Sequence, residues 1–111
     1  MSISRQNLTI IILTFKSEKV IDACLNSINQ NIPIIIVENS NNQSFKKLLE
    51  SKYKNLKCIL SNSNLGFGGG NNIGIMAAET DYVLILNPDA TLEPDTLDKL
   101  FEASKKIKDF S

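Results

Sequence analysis

The 111-residue sequence has no histidine and no tryptophan. Without histidine it lacks the usual general base near neutral pH and the commonest zinc ligand. Only two cysteines are present, Cys24 in an apolar helix-like segment and Cys58 in an apolar strand-like one, which reads as two buried thiols in a reducing compartment rather than a disulfide. Neither sign of charge is in excess: twelve basic and twelve acidic residues cancel. No net positive field therefore draws nucleic acid or an anionic membrane surface. No apolar stretch approaches the roughly twenty residues that span a bilayer. Arg5 followed by the run Leu8 to Phe15 imitates a signal peptide. The run is short, however, and leads into Phe15, Lys16 and Ser17 with no small-residue cleavage site, so a first strand is the better reading. A cytoplasmic protein with no transmembrane segment is expected.

A chain of this length makes one domain and buries roughly two-thirds of its unfolded surface. Repeats, low-complexity segments and linkers are missing. Leu8 to Phe15 (LTIIILTF) and Ile32 to Val37 (IPIIIV) are short, β-branched and almost continuously apolar, as strands covered on both faces are. Between them Ser17 is placed to cap a helix with Val20, Ile21, Cys24, Leu25 and Ile28 at helical spacing. After the polar turn Glu38 to Gln43 comes a second helix, capped by Ser44, with Phe45, Leu48, Leu49 and Tyr53 on one face. Leu56 to Leu60 is a third strand. A glycine-rich segment then leads into a helix from about Asn71 to Glu79 with Ile73, Met76 and Ala77 inward, and Tyr82 to Leu86 is a fourth strand. Asn87 to Ala90 is a turn, and Pro94 opens a final amphipathic helix carrying Leu97, Leu100, Phe101 and Ile107, rich in lysine at its end. Strands and helices alternate throughout. The fold class is α/β: a three-layer sandwich around an open, mainly parallel sheet of about four strands.

In such a sheet, ligands bind beyond the carboxyl ends of the strands. Polar residues stand at those ends here: Thr14 and Phe15 after the first strand, Glu38, Asn39 and Ser40 after the second, Asn64 onward after the third, Asn87 and Asp89 after the fourth. All five glycines fall in NLGFGGGNNIG, four of them close together (Gly66, Gly68, Gly69, Gly70), where backbone approaches a ligand closely. Taken singly, each segment also has a plain structural reading: a solvated turn at ENSNN, a ligand-free glycine connection, a type I turn with Pro88 at its second position. Their coincidence at four successive strand ends favours a site. The better-known phosphate motifs do not fit, because a G-x-G-x-x-G count from Gly66 ends on Asn71 and no Gly-Lys-Ser/Thr occurs. A receiver-type signalling domain would need an acidic pair after the first strand, where Thr14 and Phe15 stand.

The series TF at Thr14, VENS at Val37 to Ser40, NLGFGGGNNIG at Asn64 to Gly74 and YVLILNPDA at Tyr82 to Ala90 resembles the N-terminal half of family-2-like glycosyltransferases of the GT-A fold, particularly the rhamnosyltransferase-like branch. The resemblance covers nearly the whole chain. It implies a site for a nucleotide-diphosphate sugar, dTDP- or UDP-linked, built from Thr14, Phe15, Glu38, Asn39, Ser40, Asn64, Gly66, Phe67, Gly68, Gly69, Asn71, Asn72, Asn87 and Asp89. Glu38 would contact the base or ribose, and the glycine segment would fold over ribose and diphosphate. Asn87, Pro88 and Asp89 match the family's DXD position with the first Asp replaced, leaving Asp89 as the single side-chain ligand for Mg²⁺ or Mn²⁺. Glu38 stands where most relatives carry Asp, and Asn71 where many carry Lys or Arg.

The resemblance also implies a second half bearing the acceptor site and a general base. Glu93, Asp95 and Asp98 lie on the opening turns of the last helix, where the helix dipole explains acidic residues, so no catalytic residue is assigned. The chain is expected to be one donor-binding domain without its acceptor half, incomplete as an enzyme by itself. A homodimer is expected through the exposed edge of the Tyr82 to Leu86 strand or through apolar surface that the missing half would cover. Two other readings stay open: a nucleotide-binding module that catalyses nothing, and a structural α/β fragment that binds nothing.

Overall fold

A computed structural model of the chain describes residues 7–28, 31–61 and 66–105, with backbone alone at 66–68 and 104–105. Strands β1 (Leu8–Thr14), β2 (Ile34–Glu38), β3 (Leu56–Leu60) and β4 (Tyr82–Leu86) alternate with helices α1 (Ile21–Asn26), α2 (Gln43–Lys52), α3 (Gly66–Ala77) and α4 (Thr96–Lys105). The sheet runs β3-β2-β1-β4 and every neighbouring pair is parallel. Parallel pairing needs a helical crossover for each step, and the alternation supplies three. This is the open parallel α/β sheet that the apolar runs predict.

Side chains alternate across a strand, so β1 divides its residues between two cores. Ile10 and Ile12, with Ile34 and Ile36 beside them, pack with Ile21, Cys24 and Leu25 of α1, Phe45 and Leu49 of α2, and Leu97 of α4. Ile11 and Leu13 face the opposite side, under Gly74 and Gly70 of α3. Helices α1, α2 and α4 therefore cover one face and α3 the other. Ile10, Ile11 and Ile12 retain no exposed surface; each such side chain contributes about 1.5–3 kcal/mol of transfer free energy. Both cysteines are free, buried thiols, as expected.

Several local expectations need correction. α1 starts at Ile21 with no side-chain cap; Ser17 instead turns its hydroxyl onto the Phe15 backbone, and Val20 is exposed. α2 is capped by Asn42, whose side-chain oxygen accepts the Phe45 N–H at 3.0 Å, not by Ser44. Leu48 is 58% exposed and Met76 87%, so neither lies on the inner face assigned to it. α4 begins at Thr96, with Pro94 in the preceding turn. The largest change is α3, which starts at Gly66 and so takes in the whole glycine run that reads as a connection. Ile107 lies outside the described residues.

The two sheet edges differ. On β3, the Cys58 N–H donates to Glu50 Oε2 at 2.9 Å and the Cys58 carbonyl accepts Lys46 Nζ at 2.5 Å, so two α2 side chains occupy edge groups that would otherwise invite a strand. On β4 the alternate residue Ile85 is 39% exposed.

Candidate functional site

With every strand parallel, all four carboxyl ends share one rim. The order β3-β2-β1-β4 reverses direction between β1 and β4, and that switch point is where open α/β sheets form their ligand crevice. Thr14 and Phe15 flank it from β1, Asn87 and Asp89 from β4.

At the ends of β1 and β2 the polar side chains form a closed network. Thr14 and Glu38 are register partners, and the Thr14 hydroxyl donates to Glu38 Oε1 at 2.8 Å. Glu38 Oε2 accepts the Ser40 N–H at 2.9 Å, the Ser40 hydroxyl, and the Asn42 N–H at 3.3 Å. Neither Thr14 nor Glu38 has exposed surface. A carboxylate removed from water requires such donors, and here they bend the chain from β2 into the α2 cap. The ladder extends one step past the strands, because Asn39 N–H reaches the Thr14 carbonyl at 2.8 Å and Ser61 N–H the Glu38 carbonyl at 2.9 Å. Two non-glycine residues beyond the strand ends have left-handed backbone, Lys16 at φ 52° and Asn41 at φ 56°. Asparagine tolerates this; for lysine it costs about 1–3 kcal/mol. Phe15 beside it is 51% exposed, with Lys16 Nζ 5.4 Å from its ring centre.

The β4 end is open. Ala90 N–H bonds the Asn87 carbonyl at 3.0 Å, closing the expected turn around Pro88 and Asp89, and Asn87 and Asp89 are exposed. α1 anchors this turn from below: the Cys24 thiol approaches the Asn87 carbonyl at 3.7 Å, and Ser27 Oγ donates to Cys24 O at 2.6 Å while accepting Leu92 N–H at 2.9 Å. Burial pushes the Cys24 thiol up to about 11, and the charge of Asp89 adds to the effect. The thiol is thus neutral packing under the turn.

From β3, Asn64 and the side chain of Phe67 lie outside the described residues. Gly66, Gly68 and Gly69 form the first turn of α3, followed by Asn71, buried, and Asn72, exposed. A Cβ on Gly70 would strike Leu13 Cδ1, and one on Gly74 would sit 2.6 Å from Ile11 Cγ2. Those two glycines let the helix approach β1 closely. Asn39 Oδ1 and Asn71 Oδ1 are buried and have no hydrogen-bond partner among the described residues.

Sequence reasoning passed over Asn42, Cys24 and Ser27, which hold the rim without lying on it. Asn42 had a signal, a capping residue three positions before the apolar Phe45; the other two had none. A separate cleft of about 490 Å³ opens at the amino ends of the strands, between Thr9, Ile35, Lys57, Ala77 and Thr80. It contains none of the rim residues.

The chain matches Glycosyl transferase family 2 over residues 9–110 and belongs to that family. It is 29% identical over 99 residues to the low-salt glycan biosynthesis hexosyltransferase Agl10 of Haloferax volcanii, covering 86% of this chain and 32% of that protein. S. aureus TarS (residues 1–349) in complex with UDP superposes with a TM-score of 0.70 at 24% identity over 84% of this chain and 30% of that one. The mannosyltransferase PcManGT of Pyrobaculum calidifontis, in complex with GDP-Man and Mn²⁺, gives 0.72 at 18% identity over 82% and 30%. These two likenesses establish the fold. The chain spans about a third of the length of the hexosyltransferase, of TarS residues 1–349 and of the mannosyltransferase chain.

Proposed function

We propose that this chain binds a nucleotide-diphosphate sugar at the rim between β1 and β4 and forms the donor half of a glycosyltransferase, whose acceptor site and general base lie in residues outside this sequence. The observation that carries the reading is the convergence of four parallel strand ends on one switch point, flanked by Thr14 and Asp89, in a family 2 chain. Solved relatives of the same fold hold UDP or GDP-Man. The rhamnosyltransferase-like branch, and with it a dTDP-sugar, is the finer version of this reading.

Among the described residues no three of His, Cys, Asp and Glu come together as a metal cage. One exposed carboxylate, Asp89, suits a cation whose remaining ligands are diphosphate oxygens and water. Mg²⁺ or Mn²⁺ so bound neutralises negative charge on the nucleoside diphosphate. Asp89 holds it, Asn87 bonds the ribose, and the Thr14–Glu38–Ser40 network fixes the opposite wall of the crevice. No described helix is long and apolar enough to cross a membrane, and a cytoplasmic location fits a nucleotide-sugar donor. The half-covered β4 edge is the surface through which a homodimer would pair.

Thermal unfolding with UDP, dTDP and GDP, each with and without Mn²⁺, tests the reading. A ligand at a hundred times its Kd adds about 2.7 kcal/mol, which raises the midpoint of a domain this size by about 10 °C. No shift with any nucleotide rejects donor binding in favour of a structural α/β fragment.

A further inference from the structure

The chain between β4 and α4 carries Asp89 in its first turn. Ala90 to Glu93 belong to no helix or strand, so no ladder fixes the backbone that follows the carboxylate. One face of α1 holds it instead. Cys24 and Ser27 are three residues apart, neighbours on a helix surface, and they take the segment at its two ends. The Cys24 thiol approaches the Asn87 carbonyl at 3.7 Å, and Ser27 Oγ accepts the Leu92 N–H at 2.9 Å. Asp89 lies between these two holds. The hydrogen on Ser27 Oγ has one place to go: Leu92 N–H only donates and the Cys24 carbonyl only accepts, so the hydroxyl donates to Cys24 O at 2.6 Å. Ending α1 does not require that bond, because the Ser27 N–H already reaches the same carbonyl at 3.1 Å. The separate effect of the hydroxyl is to tie the last turn of α1 to the backbone beyond Asp89.

Given the donor-binding reading and its metal site at Asp89, on which this rests, we propose that Ser27 is a positioning residue for Asp89. It touches neither nucleotide nor cation. It sets metal affinity by fixing the direction in which the chain leaves the turn, while the Leu92 side chain, packed against the core, fixes the depth. A lone carboxylate has no second protein ligand to correct its aim, so its placement decides how well one cation is shared with the diphosphate. Removing a group that orients a metal ligand typically costs 10–100-fold in metal affinity. Ser27 acts through a few residues of backbone, so the lower end of that range, about tenfold, is expected.

Calorimetric titration with UDP, dTDP and GDP, each across a series of Mn²⁺ concentrations, compares the full chain with Ser27→Ala and Ser27→Thr. Ser27→Ala should keep most of its metal-free affinity for the tightest nucleotide but need about ten times more Mn²⁺ for half of the metal's enhancement. Ser27→Thr keeps the hydroxyl and should restore the parent's response. A residue that only stabilised the fold would lower the melting temperature and leave the metal dependence alone. A folded Ser27→Ala chain with the parent's Mn²⁺ response therefore overturns the proposal, whatever its melting temperature. The parent chain gives a second test by hydrogen exchange at the Leu92 amide. If the cation binds about tenfold tighter while the Ser27–Leu92 bond is closed, it must suppress opening of that bond by the same factor. Mg²⁺ added to the nucleotide complex should thus slow Leu92 exchange about tenfold, and Asp89→Ala should abolish the slowing. Leu92 exchange that Mg²⁺ leaves unchanged overturns the proposal even where Ser27→Ala fails to fold. Nucleotide binding by the parent that ignores metal overturns it together with the Asp89 metal site, leaving donor binding intact. Absence of binding by any nucleotide overturns the donor-binding reading as well.

Discussion

Thr14 and Glu38 end two adjacent parallel strands, and the Thr14 hydroxyl donates to the Glu38 carboxylate at 2.8 Å where neither side chain meets solvent. Three further donors, from Ser40 and Asn42 of the short turn after β2, saturate the carboxylate. Glu38→Gln keeps the shape but turns an amide NH₂ toward a donor. It should cost about 2 kcal/mol in urea unfolding, and Glu38→Ala more. A Glu38→Gln variant as stable as the parent would show the network to be dispensable.

Gly74→Ala should destabilise although alanine is the better helix former by about 1 kcal/mol. Its Cβ meets Ile11 Cγ2 at 2.6 Å, an atom fixed by the β-branch, and overpacking of this kind costs about 1–3 kcal/mol. Gly70→Ala should cost less, since the Leu13 methyls it meets are the far end of a side chain able to swing. Combining Gly74→Ala with Ile11→Leu removes the Cγ2, so the pair should lose less than the sum of its parts in a double-mutant cycle.

That helix also shows what the sequence leaves illegible. The limits of β3 and β4 can be read from their apolar runs, because side-chain alternation and flanking turns are local signals. The start of α3 cannot: glycine disfavours helix, and the close approach to Leu13 and Ile11 that calls for glycine at Gly70 and Gly74 is a tertiary contact with no local signal. The outward turn of Leu48 and Met76 has the same origin, since periodicity offers several apolar faces and the sheet selects one. At the rim, Thr14, Glu38, Asn87 and Asp89 are visible as polar residues ending strands. That Glu38 is occupied by its own turn, while Asn39 is not, depends on which face each residue takes.

The β3 edge should lose its protection when its two α2 partners go. Lys46→Ala with Glu50→Ala frees the Cys58 N–H and carbonyl, and light scattering should detect association at concentrations where the parent chain is stable in size. Ile85→Lys on β4 should act the other way, dissociating any dimer that uses that edge.

Stability should narrow at both ends of the pH range. Burial raises Cys24 and Cys58 to about 11 from an ordinary 9.0, and burial with the Asp22 hydrogen bond raises Tyr53 to about 12 from 10.0. The native state keeps these protons after the unfolded chain releases them. Their contribution is whole below pH 9 and is lost as pH rises from there toward 11 and 12. Glu50 is the reverse: the Cys58 N–H first, and Lys46 after it, hold its carboxyl below the usual value, so its contribution is present at neutral pH and lost as pH falls through the lowered value. Urea midpoints measured across pH should show both limbs. Cys58→Ala should flatten the alkaline limb, and Glu50→Gln the acid one.

Donor binding at the rim is measured most directly by calorimetric titration of the chain with UDP and dTDP, with and without Mn²⁺, beside Asp89→Ala. The rim account predicts saturable binding that Mn²⁺ strengthens at least tenfold, and an Asp89→Ala chain that folds normally but no longer responds to the metal. Binding indifferent to both Mn²⁺ and Asp89 would contradict the assigned metal site, and absence of binding by any nucleotide would contradict the donor site itself.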